Sequence, residues 1–72
     1  MQVLYLAGRD VRKGDRTVHF GRTATFIKVA KPDEDGSITA ELSVVDETVE
    51  GAAPETVQWS CQQDEEIRVM RG

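Results

Sequence analysis

Turn-forming residues divide the central stretch of this chain, residues 11–42, into short β-prone segments. The dividing points are the Gly14-Asp15 pair, Gly21 and the run of residues 32–36, which begins with Pro32 and ends with Gly36. Proline presets φ and glycine adopts positive φ, so both residues favour a turn over a continued strand. This punctuation predicts short strands joined by turns, and no convincing amphipathic helix interrupts them.

Six strands are predicted, over residues 2–6, 16–20, 23–30, 37–45, 56–61 and 66–70. The fourth has the clearest period of two, because apolar residues alternate with Thr39, Glu41 and Ser43. The residues expected to point inward from the last three strands are Ile38, Ala40, Leu42, Val44, Val57, Trp59, Cys61, Ile67 and Val69. The acidic, small-residue segment 46–55 between the fourth and fifth strands is predicted to be a surface loop.

The first three strands carry more specific expectations. Residues 2–6 are nearly all apolar, so this strand is expected to be buried on both faces. In the second strand Val18 and Phe20 share one face, and His19 is expected on the opposite, solvent-facing side. In the third strand Ala24, Phe26 and Lys28 are expected on one face, with Thr25, Ile27 and Val29 on the other. Val11 is expected to hold the preceding loop against the core.

The predicted fold class is all-β, a small, strongly bent β-barrel of five to six short antiparallel strands. The 72 residues form one domain, 1–72, because there is no room for a second core. A chain this short buries only about 60% of its unfolded surface, so its strands must curl to bury one face. A homodimer built from swapped or paired strands is the alternative to a monomer, since dimerisation also supplements a thin core.

The turn and core positions of the central stretch resemble those of small Src-homology-type, KOW-like β-barrels. The residues that carry the resemblance are Val11-x-Lys13-Gly14-Asp15-x-x-Val18, then Gly21, then Ala24-x-Phe26-Ile27-x-Val29, and the closing run Asp64-Glu65-Glu66-Ile67-Arg68-Val69. The same spacing of turn and core residues is similar to that of short actinobacterial and phage proteins of unknown function. The resemblance covers about two thirds of the chain and implies a fold, with little functional content.

Cysteine content and hydropathy indicate the cellular location expected for this chain. Cys61 is the single cysteine, so no intramolecular disulfide can form, and small secreted domains usually contain many. The apolar start of the chain lacks a preceding basic residue and is shorter than a signal-peptide core. No apolar run approaches the length of a membrane span. A cytoplasmic location without membrane association is therefore expected.

Charge is distributed unevenly along the chain, although the net charge is −4. Residues 1–32 hold seven basic and two acidic residues, a balance of +5, and residues 33–72 hold two basic and eleven acidic ones, a balance of −9. This asymmetry is compatible with a separate basic binding face. It is also compatible with basic and acidic strands that lie side by side and neutralise each other, which is the interpretation we favour from sequence.

Catalytic, metal and cofactor functions find little support in the residue types. The one histidine, His19, and Cys61 fall on different predicted strands, so a nucleophile–base pair is not expected. The acidic turn with Gly36 fails as a calcium loop, because Lys31 and Leu42 occupy positions that need oxygen ligands. Zinc would require more Cys and His residues. We therefore expect a protein that is not an enzyme and that holds no metal and no cofactor.

The remaining candidates for function are charged surfaces. Five basic residues are predicted to contact nucleic acid or an acidic protein surface from the N-terminal loops: Arg9, Arg12, Lys13, Arg16 and Arg22. Trp59 is a candidate aromatic anchor for a partner if exposed, and a core residue if buried. The alternative function is a phage- or mobile-element-type inhibitor or adaptor that docks its acidic half on a basic host protein. Sequence alone leaves the partner open.

Overall fold

The computed structural model describes residues 2–72, which form one antiparallel sheet of six strands. The strands are β1 (Gln2–Ala7), β2 (Arg16–His19), β3 (Arg22–Val29), β4 (Ser37–Val45), β5 (Glu55–Gln62) and β6 (Glu66–Arg71). A 3₁₀ turn, Gly8–Asp10, follows β1. The order across the sheet is β1-β6-β2-β3-β4-β5. The all-β class and the antiparallel strands predicted from sequence are confirmed, and no helix of residues 2–72 is long and apolar enough to cross a membrane.

The sheet is curled, but pairing between its edge strands β1 and β5 does not close it within residues 2–72. The 3₁₀ turn after β1 instead lies against the β5–β6 connection, where the Gly8 N–H donates to the Glu65 carbonyl at 2.8 Å. The Arg9 N–H donates to the Gln63 carbonyl at 3.0 Å. A side chain at Gly8 would overlap the Cys61 sulfur and the Gln62 carbonyl, so this close approach requires glycine.

The core lies on the concave face and follows the predicted alternation. All four alternating β4 residues are buried: Ile38, Ala40, Leu42 and Val44. From β5 and β6, Cys61, Ile67 and Val69 are also buried, and Val57 and Trp59 pack against this cluster while remaining half-buried. Phe26 lies at the centre, fully buried. Val11 is 5% exposed and holds its loop to the core, as predicted.

The prediction that the first strand is buried on both faces is wrong. β1 is an edge strand that pairs only with β6, so one face of it remains in solvent. Val3 and Tyr5 point to that face and are 45% and 65% exposed, whereas Leu4 and Leu6 pack against the core. Apolar composition indicates a strand, but the place of the strand in the sheet decides how many faces are covered.

The predicted orientation of the second strand is also wrong. Val18 and Phe20 are 56% and 89% exposed, while Thr17 and His19 are half-buried. The strand ends at His19, and Phe20 and Gly21 form a two-residue turn with φ of 50° and 77°. Positive φ at both positions is the type I′ geometry that joins tightly paired antiparallel strands. Phe20 therefore projects from the tip of a hairpin.

A β-bulge changes the expected faces of the third strand. The pairing with β4 runs from Phe26 opposite Leu42 to Lys28 opposite Glu41, so Ile27 is an extra residue. Beyond the bulge Val29 lies opposite Ala40 on the core side, and Lys28 turns to the outer side. The prediction that Lys28 shares a face with Ala24 and Phe26 is wrong, because the bulge shifts the alternation by one residue.

Candidate anion-binding groove

An open groove of about 570 Å³ runs between the loop that follows β1 and the C-terminal part of β3. Five of its lining residues are basic: Arg9, Arg12, Lys13, Lys28 and Lys31. Its apolar lining residues are Val11, Ile27, Val29, Ala30, Pro32 and Ile38. Within residues 2–72, no carboxylate lines the groove. The groove therefore combines an apolar floor with a cationic rim.

The first wall is held in place by a compact turn. The Asp15 N–H donates to the Arg12 carbonyl at 3.1 Å, and Gly14, at the third position of this turn, has a φ of 95°. The Gly14 N–H then donates to the Phe26 carbonyl at 2.8 Å, and the Phe26 N–H donates to the Asp15 carbonyl at 2.9 Å. These bonds and buried Val11 fix the backbone that carries Arg12 and Lys13. Both basic side chains are exposed.

A buried carboxylate anchors the same loop to the opposite end of the chain. Asp15 is 3% exposed and accepts two hydrogen bonds of 2.8 Å from Nε and Nη2 of Arg71. It also accepts the Arg12 N–H at 2.9 Å. The Arg71 hydrogen bonds lower the pKa of Asp15 below its usual value, although burial opposes this shift. Asp15 therefore remains ionised, and its hydrogen-bonded partner is Arg71, while the Arg12 charge also acts on it and contributes to the lowered pKa.

The second wall is the segment from the bulge to the β3–β4 turn. Six consecutive residues line it: Ile27, Lys28, Val29, Ala30, Lys31 and Pro32. The turn beyond it is closed by Asp33, whose carboxylate accepts the N–H groups of Asp35 and Ser37, both at 2.9 Å. This acidic turn thus uses its first carboxylate to stabilise its own backbone.

Three of the five basic residues predicted from sequence meet in the groove, namely Arg9, Arg12 and Lys13. Arg16 lies outside it, opposite Met70 and Thr25 at the junction of β2 with its neighbours. Arg22 follows the β2–β3 turn and pairs with Glu55, with 3.4 Å between Nη1 and Oε2.

Lys28 and Lys31 line the groove but were missed from the sequence, because their position depends on the bulge and on contacts between the loop and β3. The basic count of residues 1–32 does include both lysines, but nothing local in the sequence links them to Arg12.

The other candidate residues lie in structural positions. Trp59 packs edge-to-face on Phe26, with 5.0 Å between ring centroids, and so belongs mainly to the core. Cys61 is buried, and burial followed by the nearby Glu65 charge raises the pKa of its thiol. A raised pKa keeps the thiol protonated at neutral pH, the opposite of nucleophile activation. His19 stacks edge-to-face on Phe20 at the β2 end, at 4.6 Å between centroids.

Contact between opposite charges is limited. Two ion pairs are formed among residues 2–72, Arg22–Glu55 and Arg71–Asp15. Lys28 lies opposite Glu41 across the β3–β4 ladder, but the Glu41 carboxylate accepts the Gln58 side-chain amide at 3.4 Å. The acidic segment 46–55, whose last residue already belongs to β5, follows β4 at the end of that strand that is far from the groove. Neutralisation through direct ion pairs therefore involves two arginines only.

No family model matches this chain, and no curated protein and no solved structure is similar to it. The resemblance to Src-homology-type barrels stays a prediction from sequence.

Proposed function

We propose that this protein is a non-catalytic binding module that recognises an acidic partner through the groove between residues 9–13 and 27–32. The observation that carries the proposal is that five basic residues line one groove, whereas no carboxylate among residues 2–72 lines it. Three cations come from one loop and two from the end of β3, so the cluster is a product of the fold. Long-range attraction from such a cluster would raise the association rate of an acidic partner.

The rigidity of the groove supports a role in recognition. The Arg12 carbonyl and N–H are both bonded to Asp15, and Gly14 and Phe26 tie the loop to β3. A backbone already held in position loses less conformational entropy when a partner binds. The apolar floor, which includes Ile27 at 38% exposure, can bury apolar parts of the partner between its charged groups. The groove thus suits a ligand of mixed acidic and apolar character.

A titration followed by amide NMR tests this function. Labelled protein is mixed with an acidic peptide, a single-stranded oligonucleotide and a duplex, at about 50 mM and about 300 mM salt. We expect shifts confined to residues 9–13 and 27–32 at low salt, weakened at high salt, with at least one of these anions. Absence of shifts with every anion at low salt would overturn the proposal and direct attention to the acidic loop 46–55.

A pair of charge-reversal variants provides the matched control. Arg12→Glu with Lys13→Glu reverses two groove cations, and Arg16→Glu with Arg68→Glu reverses two exposed cations outside it. Each double variant changes the net charge by −4, from −4 to −8. The groove variant should lose binding at least tenfold more than the control variant, since only it removes local contacts. Equal losses would indicate a non-specific charge effect and contradict a groove site.

A further inference from the structure

The C-terminal part of β3 is an open strand edge inside the groove. β2 pairs with β3 only from Arg16 opposite Thr25 to His19 opposite Arg22. Beyond Thr25, the backbone of Phe26 is bonded to Gly14 and Asp15. From Ile27 onward the strand pairs with β4 alone, and within residues 2–72 no backbone hydrogen bond joins residues 27–31 to the 9–13 loop. One side of this segment therefore has no strand partner.

Backbone alternation places unpaired groups on that side. The Ala30 N–H donates to the Thr39 carbonyl at 3.0 Å, so the edge of Ala30 that carries this group faces β4. Successive residues of an extended chain direct their N–H and C=O groups to opposite edges. The N–H and C=O of the flanking residues Val29 and Lys31 therefore face away from β4, toward the groove. Val29 and Lys31 are two residues apart, which is the spacing of the backbone groups with which a further strand pairs.

The lining of the groove agrees with an exposed backbone edge. A groove that contacted only one face of a strand would be lined by every second residue, whereas residues 27–32 line it consecutively. The opposite wall, residues 9–13, supplies Arg9, Arg12 and Lys13. A chain lying between the two walls would meet backbone groups on one side and cations on the other.

We propose that the occupant is an acidic peptide segment that adds to the Val29–Lys31 edge as an extended strand, with its carboxylates on the groove cations. This inference rests on the proposed function of the groove. Peptide backbone supplies both donors and acceptors, and so satisfies both the N–H and the C=O groups of the edge. A phosphate backbone offers acceptors only, so the exposed carbonyls would repel it. In the described part of the chain, residues 2–72, no aromatic ring lines the groove, so bases would find no stacking platform there.

Charge also disfavours pairing of this open edge with the same edge of a second copy of the chain. Lys28 and Lys31 flank the open edge, and Pro32, which has no N–H, follows it. Lysine and proline on an edge oppose pairing with a second copy of the same edge, because the like charges would meet. An acidic strand converts that repulsion into attraction.

The test uses a peptide of about nine residues that alternates glutamate and threonine, roughly 30 Å long when extended. A second peptide of the same sequence is N-methylated at each residue, which removes its backbone N–H donors while leaving its charge and its side chains. An oligothymidylate of equal charge is the third ligand. We expect the unmodified peptide to bind at least about tenfold more tightly than either of the others. Hydrogen exchange should slow at the Val29 and Lys31 amides in its complex.

A protein variant gives a second readout. Lys31→Pro removes a charge and the N–H, whereas Lys31→Gln removes the charge and keeps the N–H. Lys31 lies outside the β3 and β4 strands and is exposed, so both variants keep the sheet ladder. We expect Lys31→Pro to bind the peptide more weakly than Lys31→Gln does. Both variants should weaken oligothymidylate binding to a similar extent, because each removes one charge.

The outcomes separate the mode of binding from the function. If both peptides bind equally well at the groove, or the two Lys31 variants behave alike, strand addition is overturned while anion binding stands. If oligothymidylate binds most tightly, the acidic-peptide occupant is replaced by nucleic acid. If none of the three ligands shifts residues 9–13 or 27–32, both proposals fail.

Discussion

The meander β2–β3–β4–β5 and the antiparallel pair β1–β6 differ in how far their strands are paired with their neighbours in the sheet. Within the meander, the β3–β4 and β4–β5 ladders extend over most of these strands, and Phe26, Leu42 and Val44 are buried on their core face. The β1–β6 pair meets β2 of the meander through one register pair, Arg16 opposite Met70, and through the Thr17 hydroxyl, which donates to the Arg68 carbonyl at 3.0 Å. The Asp15–Arg71 ion pair reinforces this junction. Ile67 and Val69 of β6 are buried in the same apolar core as the meander residues. The two parts therefore differ in backbone pairing, which is extensive within the meander and limited at the junction, where polar side-chain contacts add to apolar burial.

The proposed groove lies beside the junction between these two parts of the sheet. The loop that carries Arg12 and Lys13 lies between the two parts, bonded to β3 through Gly14 and clamped to β6 through Asp15. The buried Asp15 carboxylate makes its side-chain ion pair with Arg71, so the exposed side chains of Arg12 and Lys13 are not hydrogen-bonded to it. A surface pair such as Arg22–Glu55 contributes little to either task.

The largest expected effect is in the meander. Phe26→Ala removes a fully buried ring at the centre of the core, and should lower the free energy of unfolding by about 3–5 kcal/mol. That loss is comparable with the whole stability of a domain this small, so the variant should be largely unfolded at room temperature. Urea titration monitored by circular dichroism measures it. A loss below about 1 kcal/mol would contradict the central role of this ring.

A substitution at the junction between β6 and the meander should lower the free energy of unfolding by less than Phe26→Ala does, and its effect on amide exchange should be local. Asp15→Asn removes the charge that binds Arg71, and we expect a loss of about 2–3 kcal/mol, moderated because Arg71 is partly exposed. Amide exchange should accelerate in β1 and β6 more than in β4. Asp35→Asn is the control, because it changes the charge equally at an exposed turn residue whose carboxylate forms no ion pair among residues 2–72. Uniform acceleration across all six strands would show that the two parts open together.

The same junction predicts a pH dependence. The folded pKa of Asp15 lies below its unfolded value of about 3.9, so the unfolded chain takes up the proton first as pH falls. Its contribution is complete above about pH 5 and is lost as pH falls through the folded pKa. The pKa of Asp46 is lowered by hydrogen bonds from Thr48, so Asp46 also loses its contribution to stability as pH falls. This loss is the same in wild type and in Asp15→Asn and cancels from their difference. The stability difference between wild type and Asp15→Asn should therefore shrink below about pH 4, and a constant difference would contradict the assignment.

The smallest effect is expected at the exposed pair. Glu55→Gln removes the partner of Arg22, but the Glu55 side chain is 65% exposed, the Arg22 side chain is 33% exposed, and Nη1 and Oε2 are 3.4 Å apart. We expect a change within about 0.5 kcal/mol, measured by the same urea titration. A larger loss would mean that the far end of the meander also depends on polar contacts, which would remove the distinction between the two parts.

Sequence periodicity by itself determined much of the strand layout and the core face of β4, because alternation along one chain depends only on backbone geometry. The turns at Gly21 and Gly36 were likewise readable, since positive φ favours glycine locally. Composition alone also indicated that basic residues concentrate in the first half of the chain. These features require no knowledge of which segments meet.

Tertiary structure decided everything that depends on distant neighbours. Asp15 and Arg71 lie 56 residues apart, so no local pattern marks that aspartate as buried and paired. The edge position of β1 exposed Tyr5, and the bulge at Ile27 turned Lys28 outward. The groove itself exists because buried Val11 and the Gly14–Phe26 bond bring two basic segments together. Local propensity specifies elements, whereas packing and long-range hydrogen bonds specify which charges share a surface.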